Sequence, residues 1–205
     1  DNLNSYYSKS LKKTRLNVLK KYKNFKFFNI DIKNNLALKK FFKSKKIDLV
    51  FNFAAQAGVR YSIKNPKAYL DSNVIGFFNI LENCRINKIK KLFFASSSSV
   101  YGNSKHFPLK ENIAIEPINF YGLTKKNNEE MAEIYSKVYN MRIIGLRFFT
   151  VFGEWGRPDM VVFKLFNSIF KKKIFQLNNR GHHYRDFTHI SDVVDILEKL
   201  IFTRI

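Results

Sequence analysis

The sequence predicts a doubly wound parallel α/β sheet, and three observations carry that expectation. Short apolar runs alternate with amphipathic segments, the pattern of βαβ units. The run at 48–55, DLVFNFAA, is almost continuously apolar, as a strand buried on both faces of a parallel sheet should be. No internal repeat, low-complexity segment or linker divides the chain.

Taken in order, residues 9–23 read as a lysine-rich helix and 25–32 as a strand ending in Asp31-Ile32. A short helix is expected over 36–46 and the buried strand over 48–55. A longer helix follows over 66–87, where Pro66 suits a first-turn position. Residues 91–96 form the next strand. A loop holding Pro108 and Pro117 leads to a helix over 120–139 and a strand over 142–150. After Gly153-Glu154-Trp155-Gly156-Arg157-Pro158 a helix is expected near 161–170, and the pattern then becomes less regular.

Such a sheet should open with strand, glycine-rich turn and helix, because that turn lets a dinucleotide's pyrophosphate approach the helix N-terminus. None of the 8 glycines belongs to a Gly-x-Gly-x-x-Gly or Gly-x-x-Gly-x-x-Gly series; Gly153 and Gly156 have the spacing, but Asp159 holds the third place. Either the fold binds no dinucleotide, or the first strand, turn and helix are missing from the chain.

Composition narrows the classes. With 205 residues, 45% hydrophobic and 16% aromatic, the chain can build a core, which excludes global disorder. No run approaches the roughly 18 to 20 apolar residues of a membrane span, and the first residues lack the features of a signal peptide. A soluble protein with no membrane partner is expected. Cys84 is the single cysteine, so an internal disulfide and a Cys-Cys metal knuckle are excluded and a cytoplasmic location is expected. Cys84 itself reads as a small buried residue.

The formal charge of +21 would by itself suggest nucleic acid or an anionic surface. Its distribution argues against this. There are 28 lysines to 9 arginines, and residues 1–50 hold 14 Lys+Arg against 3 Asp+Glu. Recognition surfaces favour arginine, whose planar fork pairs with phosphate. Solvated lysine faces and no nucleic-acid partner are the expectation. His106, His182, His183 and His189 show no metal-ligand spacing with acids or cysteines, so no metal is expected. Trp155 and the phenylalanines read as core and interface.

Two stretches could carry chemistry. Tyr121-Gly-Leu-Thr-Lys125 puts a phenol and an ammonium on one helical face. A nearby cation favours phenolate and draws a tyrosine towards the range where it can act as a base. Phe93-Phe94-Ala95-Ser96-Ser97-Ser98-Ser99-Val100-Tyr101-Gly102 runs from a strand into four hydroxyls, at the carboxyl end where open α/β sheets bind ligands.

Together with Phe53-Ala54-Ala55-Gln56-Ala57-Gly58-Val59-Arg60, Leu146-Arg147-Phe148-Phe149-Thr150-Val151-Phe152-Gly153 and Arg185-Asp186-Phe187-Thr188, these motifs resemble the extended short-chain dehydrogenase/reductase family of NAD-dependent nucleotide-sugar epimerases and dehydratases. Within it the chain is most similar to bacterial UDP-glucuronate 4-epimerases. The resemblance spans essentially the whole chain, with the motifs in order. It implies a Rossmann-like domain over 1–150 without its first strand, glycine turn and helix, and the truncated start of a substrate domain over 151–205.

The resemblance also implies roles. Tyr121 would take the proton from the sugar's 4-hydroxyl, Lys125 would lower its pKa and bind the nicotinamide ribose, and Ser97 would hydrogen-bond the same hydroxyl. Asp1 would hold the adenosine ribose and Asp31-Ile32 the adenine edge. Phe53, Ala54, Ala55, Asn73 and Phe149 would line the cofactor, which is NAD. Arg185 would reach the nucleotide diphosphate. Arg157 and Arg60 are candidates for a sugar carboxylate, which a bidentate arginine suits, with Ser98, Ser99 and Thr150 as neutral hydrogen-bonders.

Related dehydratases place Asp-Glu directly after the serine equivalent to Ser97, and decarboxylating relatives have a glutamate in that stretch. Here Ser98 and Ser99 stand there, which suits an epimerase of a UDP-sugar, UDP-glucuronate to UDP-galacturonate, in polysaccharide biosynthesis. A homodimer through the helices at 66–87 and 120–139 is implied, as is an inactive isolated chain. The rivals are a UDP-glucose or UDP-N-acetylglucosamine 4-epimerase, and a basic binding protein on a relic scaffold.

Overall fold

Three strands, β1 (Leu49–Asn52), β2 (Lys91–Ala95) and β3 (Arg142–Leu146), pair in parallel in that order in the computed structural model. The structure describes residues 1–182 and 185–203. Its helices are α1 (Lys9–Leu19), α2 (Asn35–Lys43), α3 (Val59–Lys64), α4 (Pro66–Tyr69), α5 (Gly76–Ile86), α6 (Phe120–Tyr139), α7 (Val161–Phe170) and α8 (Ile190–Phe202). The chain divides into two units, one formed by Asp1–Asn2 with Phe28–Phe148 and the other by Leu3–Phe27 with the residues from 149 onward.

In the first unit the strand alternation of β2 organises the core. Leu92 and Phe94 join Leu38 and Phe42 of α2, Phe77, Leu81 and Cys84 of α5, and Ala132 of α6 in one buried cluster. Phe93, between them, is also buried and stacks on Phe51 of β1 at 4.9 Å between ring centroids. Each such buried aromatic contributes about 1.5–3 kcal/mol by leaving water. Phe94 pairs in register with Gly145, and a Cβ at 145 would stand 2.6 Å from the Phe94 ring. Glycine in β3 therefore makes room for the aromatic in β2. The Cys84 thiol is buried as expected, and burial pushes its pKa up to about 12.

The helix expected over 66–87 is interrupted. Asn65 caps its start, accepting from the Ala68 amide at 3.2 Å, but residues Leu70–Ile75 widen into a π-helical turn between α4 and α5. Such turns often occur at functional sites, and this one carries the buried Asn73.

Two strand expectations are corrected. Residues 25–32 form no strand among the described residues: Ile30 and Ile32 pack on the core, while Asn79 Nδ2 donates to the Ile32 carbonyl at 2.9 Å in place of a ladder bond. The single strand expected over 142–150 breaks after Leu146. There Phe148 N turns back to the Leu146 carbonyl, and the Phe148 carbonyl accepts from Ser98 N at 2.9 Å.

The chain resumes in the second unit as β4 (Thr150–Phe152), which pairs in parallel with β5 (Phe187–His189), Val151 opposite Thr188. In that unit Arg15 of α1 donates to the Gly156 carbonyl at 2.7 Å and to Tyr7 Oη at 2.8 Å. The His189 side chain caps α8, accepting from the Ser191 amide at 3.3 Å. His183 lies outside the described residues.

Candidate active site

Helix α6 begins against the carboxyl end of β2. Asn119 caps it by accepting from the Gly122 amide at 2.8 Å. A Cβ on Gly122 would stand 2.6 Å from the Ser99 carbonyl oxygen, so the helix approaches the short 3₁₀ turn Ser98–Tyr101 at a distance that only glycine permits. Tyr121 precedes Gly122 and is half-buried. Its ring meets Tyr69 edge-on at 6.0 Å, and the buried Tyr69 donates its hydroxyl to the carbonyls of Ala57 and Gly58.

One turn beyond Tyr121, Lys125 is 3% exposed. Its Nζ donates to the Ala95 carbonyl at 2.7 Å and lies 5.9 Å from the centroid of the Tyr121 ring. The phenol and the ammonium thus share one helical face. Burial disfavours the charged amine and lowers its pKa from 10.5 to about 8.

Ser97 follows β2 and is buried, its Oγ accepting from the Ser99 amide at 3.1 Å. Ser98 and Ser99 are half-buried in the 3₁₀ turn. Ser96 makes a different contact: its Oγ donates to Glu129 of α6. The Glu129 carboxylate also receives Arg147 as a fork, Nε at 3.0 Å and Nη2 at 2.9 Å. Arg147 Nη1 donates to the Glu111 carbonyl at 3.0 Å, and the guanidinium lies 4.9 Å from the Tyr101 ring centroid. The Glu129 hydrogen bonds hold the Arg147 pKa above its ordinary value.

Asn73 is buried in the π turn. Its Oδ1 accepts from Gln56 N at 2.7 Å, while Nδ2 donates to Gln56 O at 3.0 Å and Thr124 Oγ1 at 3.1 Å. Thr124 in turn donates to the Tyr121 carbonyl at 2.8 Å. Asn73 therefore ties the segment leaving β1 to the turn of α6 that bears Tyr121. In that segment Phe53 and Ala54 are exposed and Ala55 is half-buried.

Asp31 accepts from Asn2 Nδ2 at 2.8 Å and from Lys33 N at 2.9 Å. Partial burial raises its pKa, but the Asn2 and Lys33 hydrogen bonds and the lysine charge outweigh this and hold it below the usual carboxylate value. Asp1 is exposed, Ile32 packs against Gly76, and Arg60 is exposed on α3.

Phe149, Thr150, Arg157 and Arg185 belong to the second unit. Phe149 is exposed, and Thr150 opens β4 opposite Phe187. Arg157 is engaged bidentately by Asp159, at 3.0 and 3.1 Å, and Tyr6 Oη donates to the same carboxylate at 3.2 Å. Arg185 is exposed.

The structure thus gathers Tyr121, Lys125, Ser97, Ser98 and Ser99 at one end of the first unit's sheet. Sequence reasoning gave no role to Glu129, Arg147, Thr124, Gln56 or Tyr69. For Glu129 a signal existed, since 121, 125 and 129 repeat every four residues on a single helical face. The contacts of Gln56 and Tyr69 depend on tertiary approach and leave no such mark.

Residues 3–203 match the NAD dependent epimerase/dehydratase family. Protein CapI of Staphylococcus aureus is 48% identical over 203 residues, which are 98% of this chain and 60% of that protein. The UDP-glucuronate 4-epimerase of Thermodesulfobacterium geofontis is 43% identical over 194 residues, 94% of this chain and 60% of the relative. The crystal structure of UDP-glucuronic acid 4-epimerase from Bacillus cereus, in complex with UDP-glucuronic acid and NAD, superposes with a TM-score of 0.93 at 32% identity, covering all of this chain and 64% of that one. The chain spans about 60% of the length of three curated relatives, CapI among them, and 45–46% of three relatives from Arabidopsis thaliana.

Proposed function

The chain belongs to the NAD dependent epimerase/dehydratase family, and from that premise we propose that the natural protein carrying it inverts C4 of a UDP-sugar, converting UDP-glucuronate to UDP-galacturonate. One observation carries this reading: the buried Lys125 ammonium lies beside the Tyr121 ring at the end of the strand that leads into Ser97.

In this reading Tyr121, as phenolate, accepts the proton of the sugar's 4-hydroxyl. Lys125 favours the phenolate by its charge, and Ser97 hydrogen-bonds the same hydroxyl and orients it. NAD held beside C4 would supply the acceptor and donor of a hydride at that carbon and be unchanged overall. Tyr121 then gives the proton back to the inverted oxygen.

The residues present fit one side of that cofactor. An ammonium has three protons, and Lys125 directs one at Ala95, leaving donors suited to ribose hydroxyls. The Phe53-Ala54 pair beyond β1 is exposed, Phe53 offering an apolar face, and Asp31 is an ionised acceptor suited to the adenosine end. The glycine series that would receive the pyrophosphate is not among these 205 residues. The chain alone is therefore expected to hold NAD weakly and to lack turnover.

A 4-keto glucuronate is a β-keto acid, prone to lose carbon dioxide. Ser98 and Ser99 supply hydroxyls and no acid or base at the positions after Ser97, which supports epimerisation over elimination or decarboxylation. Thr150, Arg157, Arg60 and Arg185 are the proposed contacts to the carboxylate and diphosphate. A second reading, a neutral UDP-glucose-type donor, is favoured by one observation: the Arg157 fork already holds Asp159.

Leu70, Ile75, Phe78 and Ile86 on one helical stretch, and Leu123, Ile134 and Val138 on α6, are exposed. These apolar residues support a homodimer through 66–87 and 120–139, which light scattering would test. Proton NMR of the natural protein with each UDP-sugar tests the reaction. UDP-galacturonate appearing from UDP-glucuronate supports the first reading; turnover of UDP-glucose alone supports the second.

A further inference from the structure

We infer that Glu129, gripped by Arg147 and Ser96, is a positioning residue that sets the register of α6 against the sheet and so the placement of Tyr121 and Lys125. The inference rests on the epimerase reading only for what the placement serves. Its geometry stands apart from it.

Successive turns of α6 bond successive residues at the end of β2: Lys125 reaches the Ala95 carbonyl and Glu129 reaches Ser96 Oγ. Bonded to the end of β2 through Lys125 alone, the helix could still shift along that strand end. The Lys125 bond is also a weak choice for a sole anchor, because that ammonium is assigned to phenolate and ribose. Glu129 supplies a second tie to that strand end, one turn beyond the Asn73–Thr124 contact.

The same carboxylate is forked by Arg147, the first residue after β3, so the ends of two strands and the helix meet at one group. Arg147 extends the tie to Glu111 and to Tyr101 in the turn that bears Ser98 and Ser99. The side chains are 16% and 19% exposed. An ion pair so far removed from water is poor evidence of net stability, since desolvation offsets much of its attraction. Its geometry, with three donors on two oxygens, is by contrast narrowly defined.

Glu129→Gln removes the charge and leaves one oxygen acceptor. In the natural protein carrying this chain, kcat on UDP-glucuronate per NAD-loaded site is expected to fall about 10- to 100-fold, the scale for a misplacement near 1 Å, while KM stays within about threefold because substrate-binding groups are untouched. Ser96→Ala, which removes one hydroxyl and leaves the Arg147 fork, serves if Glu129→Gln does not fold. It should lower kcat about 3- to 10-fold with the melting temperature little changed, a fraction of the full misplacement effect.

A merely structural pair would lower the melting temperature and leave kcat per loaded site unchanged, and that result overturns the inference. Amide hydrogen exchange at residues 121–125 provides a readout independent of turnover. Where the parent protein proves inactive on UDP-glucuronate, which would fault only the substrate reading, exchange decides: faster exchange at 121–125 in Ser96→Ala with the melting temperature unchanged supports the positioning role, and unchanged exchange overturns it. Unchanged exchange together with unchanged kcat overturns it.

Discussion

The Lys125 ammonium donates to the Ala95 carbonyl across 2.7 Å, which holds the helix bearing Tyr121 to the end of β2, two residues before Ser97. This contact buries a charge to set a distance. It also means that the ammonium proposed as the charge for the phenol is at the same time a fastener of the helix.

Tyr121→Phe keeps the ring contact with Tyr69 and removes the hydroxyl. In the natural protein it should lower kcat by about 10²–10⁴, the usual range for loss of a positioned proton acceptor, with KM nearly unchanged. Steady-state kinetics on UDP-glucuronate check this. A loss confined to KM would assign Tyr121 to binding.

Lys125 gives stability a pH dependence of definite sign. Its pKa is about 8 in the folded chain against 10.5 for an ordinary lysine. Below pH 8 the amine is charged in both folded and unfolded states, and the penalty of burying it is fully felt. Between 8 and 10.5 only the unfolded chain holds the proton, so stability rises with pH, and above 10.5 the penalty is gone. The stability of the parent relative to Lys125→Met should therefore increase as pH rises through that window. Urea unfolding of both proteins at pH 7, 9 and 10.5 measures it, and a difference constant with pH would contradict the assignment.

Gly122→Ala forces a Cβ to within 2.6 Å of the Ser99 carbonyl, a backbone atom with no easy retreat. The expected cost is about 1–3 kcal/mol, as for other overpacked sites. Activity should fall as well, because Tyr121 would shift with the helix. Denaturant unfolding and kcat on the same preparation check both, and a variant as stable and active as the parent would show that α6 does not press on the turn.

Arg157→Ala separates the acidic from the neutral donor. If Arg157 leaves Asp159 to hold the sugar carboxylate, KM for UDP-glucuronate should rise about 10- to 100-fold, the loss typical of a charge-assisted hydrogen bond, and UDP-glucose kinetics should be unaffected. Equal effects on both donors would give Arg157 a structural role with Asp159 and Tyr6 instead.

The parts legible in the sequence were those with local signals. Helix α6 announces itself by the amphipathic run over 120–139, and β2 by an apolar run that ends in serines. Residues 25–32 look like a strand because Ile30 and Ile32 are core residues, yet a strand exists only through a partner, and here Asn79 satisfies the Ile32 carbonyl. The break after Leu146 was equally hidden: it depends on Ser98 taking the Phe148 carbonyl from fifty residues away. Helix α8 and strand β5, only three residues long, lay in a stretch that read as irregular. At the site, Tyr121, Lys125 and Ser97 could be named from motif order, whereas the Asn73–Gln56 and Arg147–Glu129 contacts exist only once the sheet has assembled.

The most direct measurement of the central claim follows a deuterium at C4. The natural protein, given UDP-glucuronate labelled with deuterium at C4, should yield UDP-galacturonate that keeps the label at C4 and gains no solvent hydrogen at C5, because the hydride leaves and returns at a single carbon while Tyr121 moves only the hydroxyl proton. Product that has lost the C4 label, or taken up solvent hydrogen at C5, would contradict the account.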